Sequence, residues 1–137
     1  MSALLDPDAP NLLATVVSWH TQEVPEIRTV TKRPAGARLE EALKAGPLLR
    51  VGPQPGGTRS WAGDTTMILD CDWYDTDLDV IQAAVKASVA AFERLAARFW
   101  AGVLVDDCAV HLEPGSARHE SEHILRYYGA FRVNTRA

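Results

Sequence analysis

The sequence predicts an α+β fold, a mainly antiparallel sheet of about four to five strands with two helices packed on one face. Three stretches predict it. In Met67, Leu69, Cys71 and Trp73 every second residue is apolar, with Asp70 and Asp72 between them, which is the period of a half-buried strand. Directly after it, Leu78, Ile81, Val85, Val89, Phe92, Leu95 and Phe99 recur at spacings of three and four and draw one apolar stripe along a helix. The closing stretch from Glu122 to Arg136 alternates again, with Leu125, Tyr127, Phe131 and Val133 on one side and Arg126, Tyr128, Arg132 and Asn134 on the other. One-sided strands bury their apolar face most simply against one-sided helices, so these stretches imply layers.

Taken in order, Asp6, Pro7, Asp8 and Pro10 give a start signal, and Leu12, Leu13, Val16, Val17 and Trp19 form a short helical stripe that ends before Pro25. Ile27 to Arg33 alternates and is rich in β-branched residues, so it reads as a strand stopped by Pro34. Arg38 to Ala45 has room for one or two helical turns closed by Gly46, and Pro47 to Val51 reads as a short strand. Gly52 to Gly63, dense in glycine and proline, reads as an irregular hairpin loop that projects from the sheet and carries contacts. The strand around Asp70 then feeds the long helix, for which Thr76 is the expected N-cap with Asp79 three residues on. From Asp77 to Phe99 that helix would run about 35 Å and would be the largest stabilising contact of the fold. Gly102 stops it. Val103 to Leu112 reads as a strand with Asp106 and Asp107 at a bulge or turn, Glu113 to Glu120 as a polar connection, and Glu122 to Arg136 as the last strand. Its outer arginines would oppose Asp70 and Asp72 if the two strands are neighbours.

A chain of 137 residues with 47% hydrophobic content fits a single domain, residues 1–137, with a real core. The net charge of −4 speaks against a dedicated nucleic-acid binder, which needs clustered cations to displace counterions from phosphate. The start of the chain lacks the basic and apolar regions of a signal peptide, and no apolar run approaches the roughly 20 residues of a membrane span. With only Cys71 and Cys108, both in apolar strand-like surroundings, the expectation is a soluble, intracellular and reduced protein.

Several strings imitate chemistry. His119-Glu120-Ser121-Glu122-His123 is a literal H-E-x-x-H, by which two histidines on one helical face bind zinc beside a glutamate base. The pattern works only inside a helix, and here Pro114 and Gly115 precede it while strand periodicity follows, so a solvated hairpin turn is expected. Asp75, Asp77 and Asp79 resemble the first ligands of a calcium loop, but Val80 stands where that loop needs glycine and Lys86 where it needs a glutamate. They read instead as acids at a helix N-terminus. Gly52 to Arg59 lacks the lysine of a phosphate loop. Cys108 and His111 fall on opposite faces of a strand, as do Asp106 and Asp107, so neither pair converges. Trp61 and Trp100 fall at element edges, where core packing is the first expectation and a subunit contact the alternative. No catalytic residue, cofactor site or metal site is expected.

The order of elements, with "EIRTVTKRP", "PLLRVGPQPGGTRSW", "TTMILDCDWYD" before a long amphipathic helix, and "HILRYYGAFRVNTR" at the end, resembles tail terminator proteins of long-tailed bacteriophages over residues 10 to 136. The resemblance lies in layout and local character. It implies a structural virion protein and no enzyme: a homo-hexameric ring at the tail–neck junction, assembled in the host cytoplasm, that caps the tail tube, ends its polymerisation and meets the neck or connector protein of the head. DNA would pass through the lumen without being gripped, and the acidic balance suits that passage. Arg59, Trp61, Asp70, Asp72, Tyr128 and Arg132 are the expected subunit and partner contacts. Two alternatives stand beside it, another head–tail connector subunit and a small zinc hydrolase using His119, Glu120 and His123.

Overall fold

The computed structural model describes residues 12–54, 58–59, 65–119 and 121–136. Its elements are α1 (Leu12–Glu23), β1 (Arg28–Val30), α2 (Ala37–Leu43), β2 (Leu48–Pro53), β3 (Thr58–Arg59), β4 (Thr65–Asp75), α3 (Leu78–Arg94), β5 (Arg98–Trp100), β6 (Val103–Ala117) and β7 (Leu125–Arg136). The fold is α+β, as expected, but richer than the sequence reading. Among the described residues the sheet runs β1-β2-β4-β7-β6-β5, with the two-residue β3 pairing β4 outside that path. It has more strands than the four to five predicted, and three helices where two were predicted.

Helices also cover both faces. The β1 and β2 strands are parallel, Arg28 opposite Leu48 and Val30 opposite Arg50, while every other pair is antiparallel. Parallel neighbours need a crossover, and α2 is that crossover. It lies on the face opposite α1 and α3, where Leu39 and Leu43 pack on Leu48, Tyr74 and Ile124 in a small second core. The main core lies on the other side of the sheet. There Leu49, Val51, Leu69, Cys71, Trp73, Phe131 and Val133 meet α1 and α3 through Val16, Trp19, Ile81, Phe92 and Leu95.

Helix α3 is shorter than its apolar pattern predicts, and it starts one residue later. Asp77, not Thr76, is the N-cap, its Oδ1 accepting the Val80 N–H at 3.1 Å. The helix ends at Arg94 because the chain turns at Ala97, with φ 63°, and enters β5. The loop between β5 and β6 is Ala101-Gly102, at φ 47° and 81°, the two left-handed residues of a tight hairpin whose twist suits flanking strands. Phe99 therefore belongs to a strand and stands 70% exposed, and Leu78 is 52% exposed, so both ends of the predicted stripe leave the core. The four large residues that stay, Ile81, Val85, Phe92 and Leu95, contribute about 6 to 12 kcal/mol of burial, an upper estimate.

β6 continues to Ala117, so the stretch expected as a polar connection is mostly strand. The bulge expected near Asp106 is present, as a register shift between Val105 and Asp107, and two further shifts follow between Val110 and Gly115. They fold Pro114 over Gly129, where an added Cβ would lie 2.9 Å from Pro114 Cγ and 3.2 Å from the Leu112 carbonyl, so this position admits only glycine without movement.

Candidate interaction surfaces

Register assembles the polar side chains of the α2 face. Arg50, Asp72 and Tyr128 lie in one row across β2, β4 and β7, Leu48, Tyr74 and Arg126 in the next, and Gly52, Asp70 and Ala130 in the row on the far side. Long side chains reach diagonally into neighbouring rows. The Asp72 carboxylate, only 3% exposed, accepts at Oδ2 from Arg50 Nε (3.0 Å) and Nη2 (2.6 Å), and at Oδ1 from Arg126 Nε (2.8 Å) and Nη2 (2.6 Å). Tyr128 donates to Asp70 Oδ1 at 2.6 Å, and the Arg126 guanidinium lies 5.7 Å from the Tyr128 ring centre. Gly52 leaves room for Arg50, whose Nη1 would be 2.5 Å from any Cβ there.

The sequence reading placed Asp70 and Asp72 on a solvent or partner face. Asp72 does lie on the face away from the main core, but two guanidiniums with long apolar stems cover it there. The predicted meeting of the outer arginines with Asp72 is realised by Arg126, and Arg50, not singled out from sequence, completes the clamp. Arg132 is exposed, opposite Ile68 and Ala109. Arg59 lies in β3 opposite Thr65. Trp61 falls outside the described residues. Burial pulls the Arg126 guanidinium down, but its bonds to Asp72 outweigh that and leave it above its usual value. The hydrogen bond to Asp70 pushes the Tyr128 hydroxyl up to about 12, with burial adding to it. These groups hold fixed protonation states across the neutral range, which suits structure better than proton transfer.

The described residues of the H-E-x-x-H string, His119 and residues 121–123, lie in the connection between β6 and β7, not in a helix. Arg33 Nη1 donates to His119 Nε2 at 2.9 Å, and the His119 ring meets Tyr74 edge-on at 5.6 Å. His123 is exposed. Helical spacing is what would aim the two histidines at one metal, and the turn does not supply it. Glu120 falls outside the described residues. Asp75, Asp77 and Asp79 lie at the N-terminus of α3, as expected: Asp77 is its N-cap, and Asp75 Oδ2 accepts the Asp77 N–H at 3.0 Å. Both cysteines are free and buried; burial raises the Cys71 thiol well above its usual value and pushes Cys108 up to about 12, so neither is a nucleophile at neutral pH.

Sequence reasoning missed one polar cluster entirely. His20, fully buried, sits 2.7 Å from Thr29 Oγ1 through Nδ1 and 2.8 Å from Ser88 Oγ through Nε2, and Trp73 Nε1 donates to Ser88 Oγ at 2.9 Å. A serine against a histidine has the geometry of an activated nucleophile. Here both residues are 0% exposed, His20 on α1 and Ser88 on the buried side of α3, so no substrate reaches them. Burial lowers the His20 pKa to about 4, so the ring is neutral and ties α1, β1, α3 and β4 together.

The two edges of the sheet differ. Along β1 an open groove of about 620 Å³ is flanked by Arg28, Lys32 and Arg38. At β5, Phe99 stands beside exposed Leu104.

No protein-family model matches the sequence, and no curated protein matches it significantly. Among solved structures, a chain of the virion of the native gene transfer agent particle is similar, with a TM-score of 0.60 and 14% sequence identity over 97% of this chain and 89% of that one. At that identity the likeness shows a shared fold.

Proposed function

We propose that this chain is a structural subunit of a phage-like virion, with the role of a tail terminator: copies close into a hexameric ring that caps the tail tube, stops its growth and presents a surface to the neck of the head. The observation that supports it most is the fold shared, nearly end to end in both chains, with a virion component. The elements that carry the resemblance, the first helix, the strands around Thr29, Leu49 and Asp70, the long helix and the closing strand, follow one another in the fold in that sequence, with α2, β3, β5 and β6 as further elements between them. Such a subunit works by shape. Its partners are other copies of itself, the tube protein and a neck or connector protein, and DNA crosses the lumen without specific contact, helped by a net charge of −4.

Electron microscopy of the purified chain, alone and mixed with tail tubes, tests this reading. Closed rings seated on tube ends are expected. Rings that bind the head portal and ignore tubes would reassign the chain to another connector position, and a strict monomer that never binds either structure would refute the proposal. Stoichiometric zinc after dialysis, lost on His123→Ala, would refute it in favour of a hydrolase.

A further inference from the structure

A head-to-tail ring needs two unlike surfaces on one subunit that fit each other. The strand order places β1 and β5 at opposite ends of the six-strand path, five spacings or roughly 24 Å apart.

At the β1 end, the groove is lined by apolar Pro34, Ala35 and Ala42 and by four cations, Arg28, Lys32, Arg38 and Arg33, the last of which is bonded to His119. Among the described residues Arg28, Lys32 and Arg38 make no ion pair or side-chain hydrogen bond. At the β5 end, Phe99 and Leu104 are cross-strand partners, 70% and 37% exposed. Asp107 shares the face of Leu104, since their β7 partners Asn134 and Arg136 are two residues apart, and its side chain too makes no hydrogen bond or ion pair among the described residues. One end offers an apolar slot between cations, and the other an aromatic ring and a carboxylate.

Resting on the ring reading above, we propose that Phe99 of one copy inserts into the β1–α2 groove of the next, its ring under the groove guanidiniums, with Asp107 beside the cationic wall. A guanidinium over an aromatic face is attractive, and a phenylalanine gains from leaving water for an apolar floor. Nucleic acid fits the groove less well. Glu40 and Glu41 are exposed on the same helix as Arg38, and a polyanion needs a longer run of cations than the four that line this groove.

Two exposed-site variants of the full chain test the pairing: Phe99→Ser removes one edge, and Lys32→Glu with Arg38→Glu removes the other. Each is expected to keep the circular dichroism spectrum of the unmodified chain and to run as a monomer, by native mass spectrometry and light scattering, at concentrations where the unmodified chain assembles. Mixed, they have one intact edge of each kind between them, so a one-to-one dimer that grows no further is expected. Rings that persist in both variants would overturn the edge pairing while leaving the ring reading standing. Failure of the mixture to pair would also overturn it, and an unmodified chain that stays monomeric with and without tubes would overturn both. Binding of duplex DNA that is lost in the charge-reversed variant, with assembly unchanged, would give the groove to nucleic acid and end the proposal.

Discussion

Acidification from neutral pH to about pH 4 is expected to remove stability through one residue, His20. In the fold its imidazole is fully buried between Thr29 and Ser88, and burial lowers its pKa from 6.5 to about 4. In the unfolded chain the ring takes up a proton at the ordinary value. Between those two values the unfolded state therefore binds more protons, so the His20 contribution is complete above about pH 6.5 and is lost as the pH falls toward 4. A gap of about 2.5 units, at about 1.4 kcal/mol per unit, amounts to roughly 3 kcal/mol. That is a large share of the 5 to 15 kcal/mol typical of a domain. Urea unfolding at fixed protein concentration, followed by tryptophan fluorescence at about pH 7, 6, 5 and 4.5, measures the slope. His20→Gln, which cannot take up a proton, is expected to be less stable at neutral pH and to lose much less on acidification. Equal slopes in the two proteins would refute the reasoning. So would a histidine proton resonance assigned to His20 that titrates near 6.5 in the folded protein.

Three further outcomes are expected. Arg50→Met or Arg126→Met leaves Asp72 one guanidinium and costs about 1 to 2 kcal/mol, whereas the double variant leaves a carboxylate of 3% exposure uncompensated and costs about 1 to 3 kcal/mol more than the two added, so a double-mutant cycle that closes additively would contradict the clamp. Ala101→Asn relieves an alanine held at φ 47° in the β5–β6 hairpin and raises stability by up to about 1 kcal/mol, read as a higher melting temperature. Gly129→Ala forces Pro114 and the Leu112 carbonyl aside and costs about 1 to 3 kcal/mol, and an unchanged melting temperature would show that the β6 bulge yields freely.

The parts of this fold that were legible in the sequence are those with a long, one-sided pattern. β4, β7 and the first four turns of α3 declare themselves through period two and period 3.6, and the meeting of Arg126 with Asp72 follows once β4 and β7 are neighbours. The strand β5 was hidden because Phe99 continues the helical spacing by coincidence, and the break depends on Ala97 and Ala101 adopting left-handed backbone that alanine rarely takes. The parallel pairing of β1 with β2 was hidden because three-residue β1 carries too little pattern to declare its direction. His20 gave no signal at all. On the page it is one polar residue after Trp19, and only the packing of α1 against α3 turns it inward to Ser88.

The Asp72 clamp bears on the proposed assembly through register. A buried ion pair is weak support for stability, since apolar side chains of similar size often serve as well. What it does enforce is alignment. A slip of one residue between β4 and β7 would exchange the two faces, sending Arg126 and Tyr128 toward Phe92 and Trp73 and leaving their charges and hydroxyls without Asp72 and Asp70. The clamp therefore fixes β4, the hub of the sheet, against strands on both sides. If Phe99 and the β1 groove are the two joints of a closed ring, their separation and angle are set through these central strands, and an error in one subunit would be repeated at every joint. On the proposed ring reading, register fidelity in the middle of the sheet would be the condition for closure at its edges, and that would account for a charged clamp where an apolar row would have packed equally well.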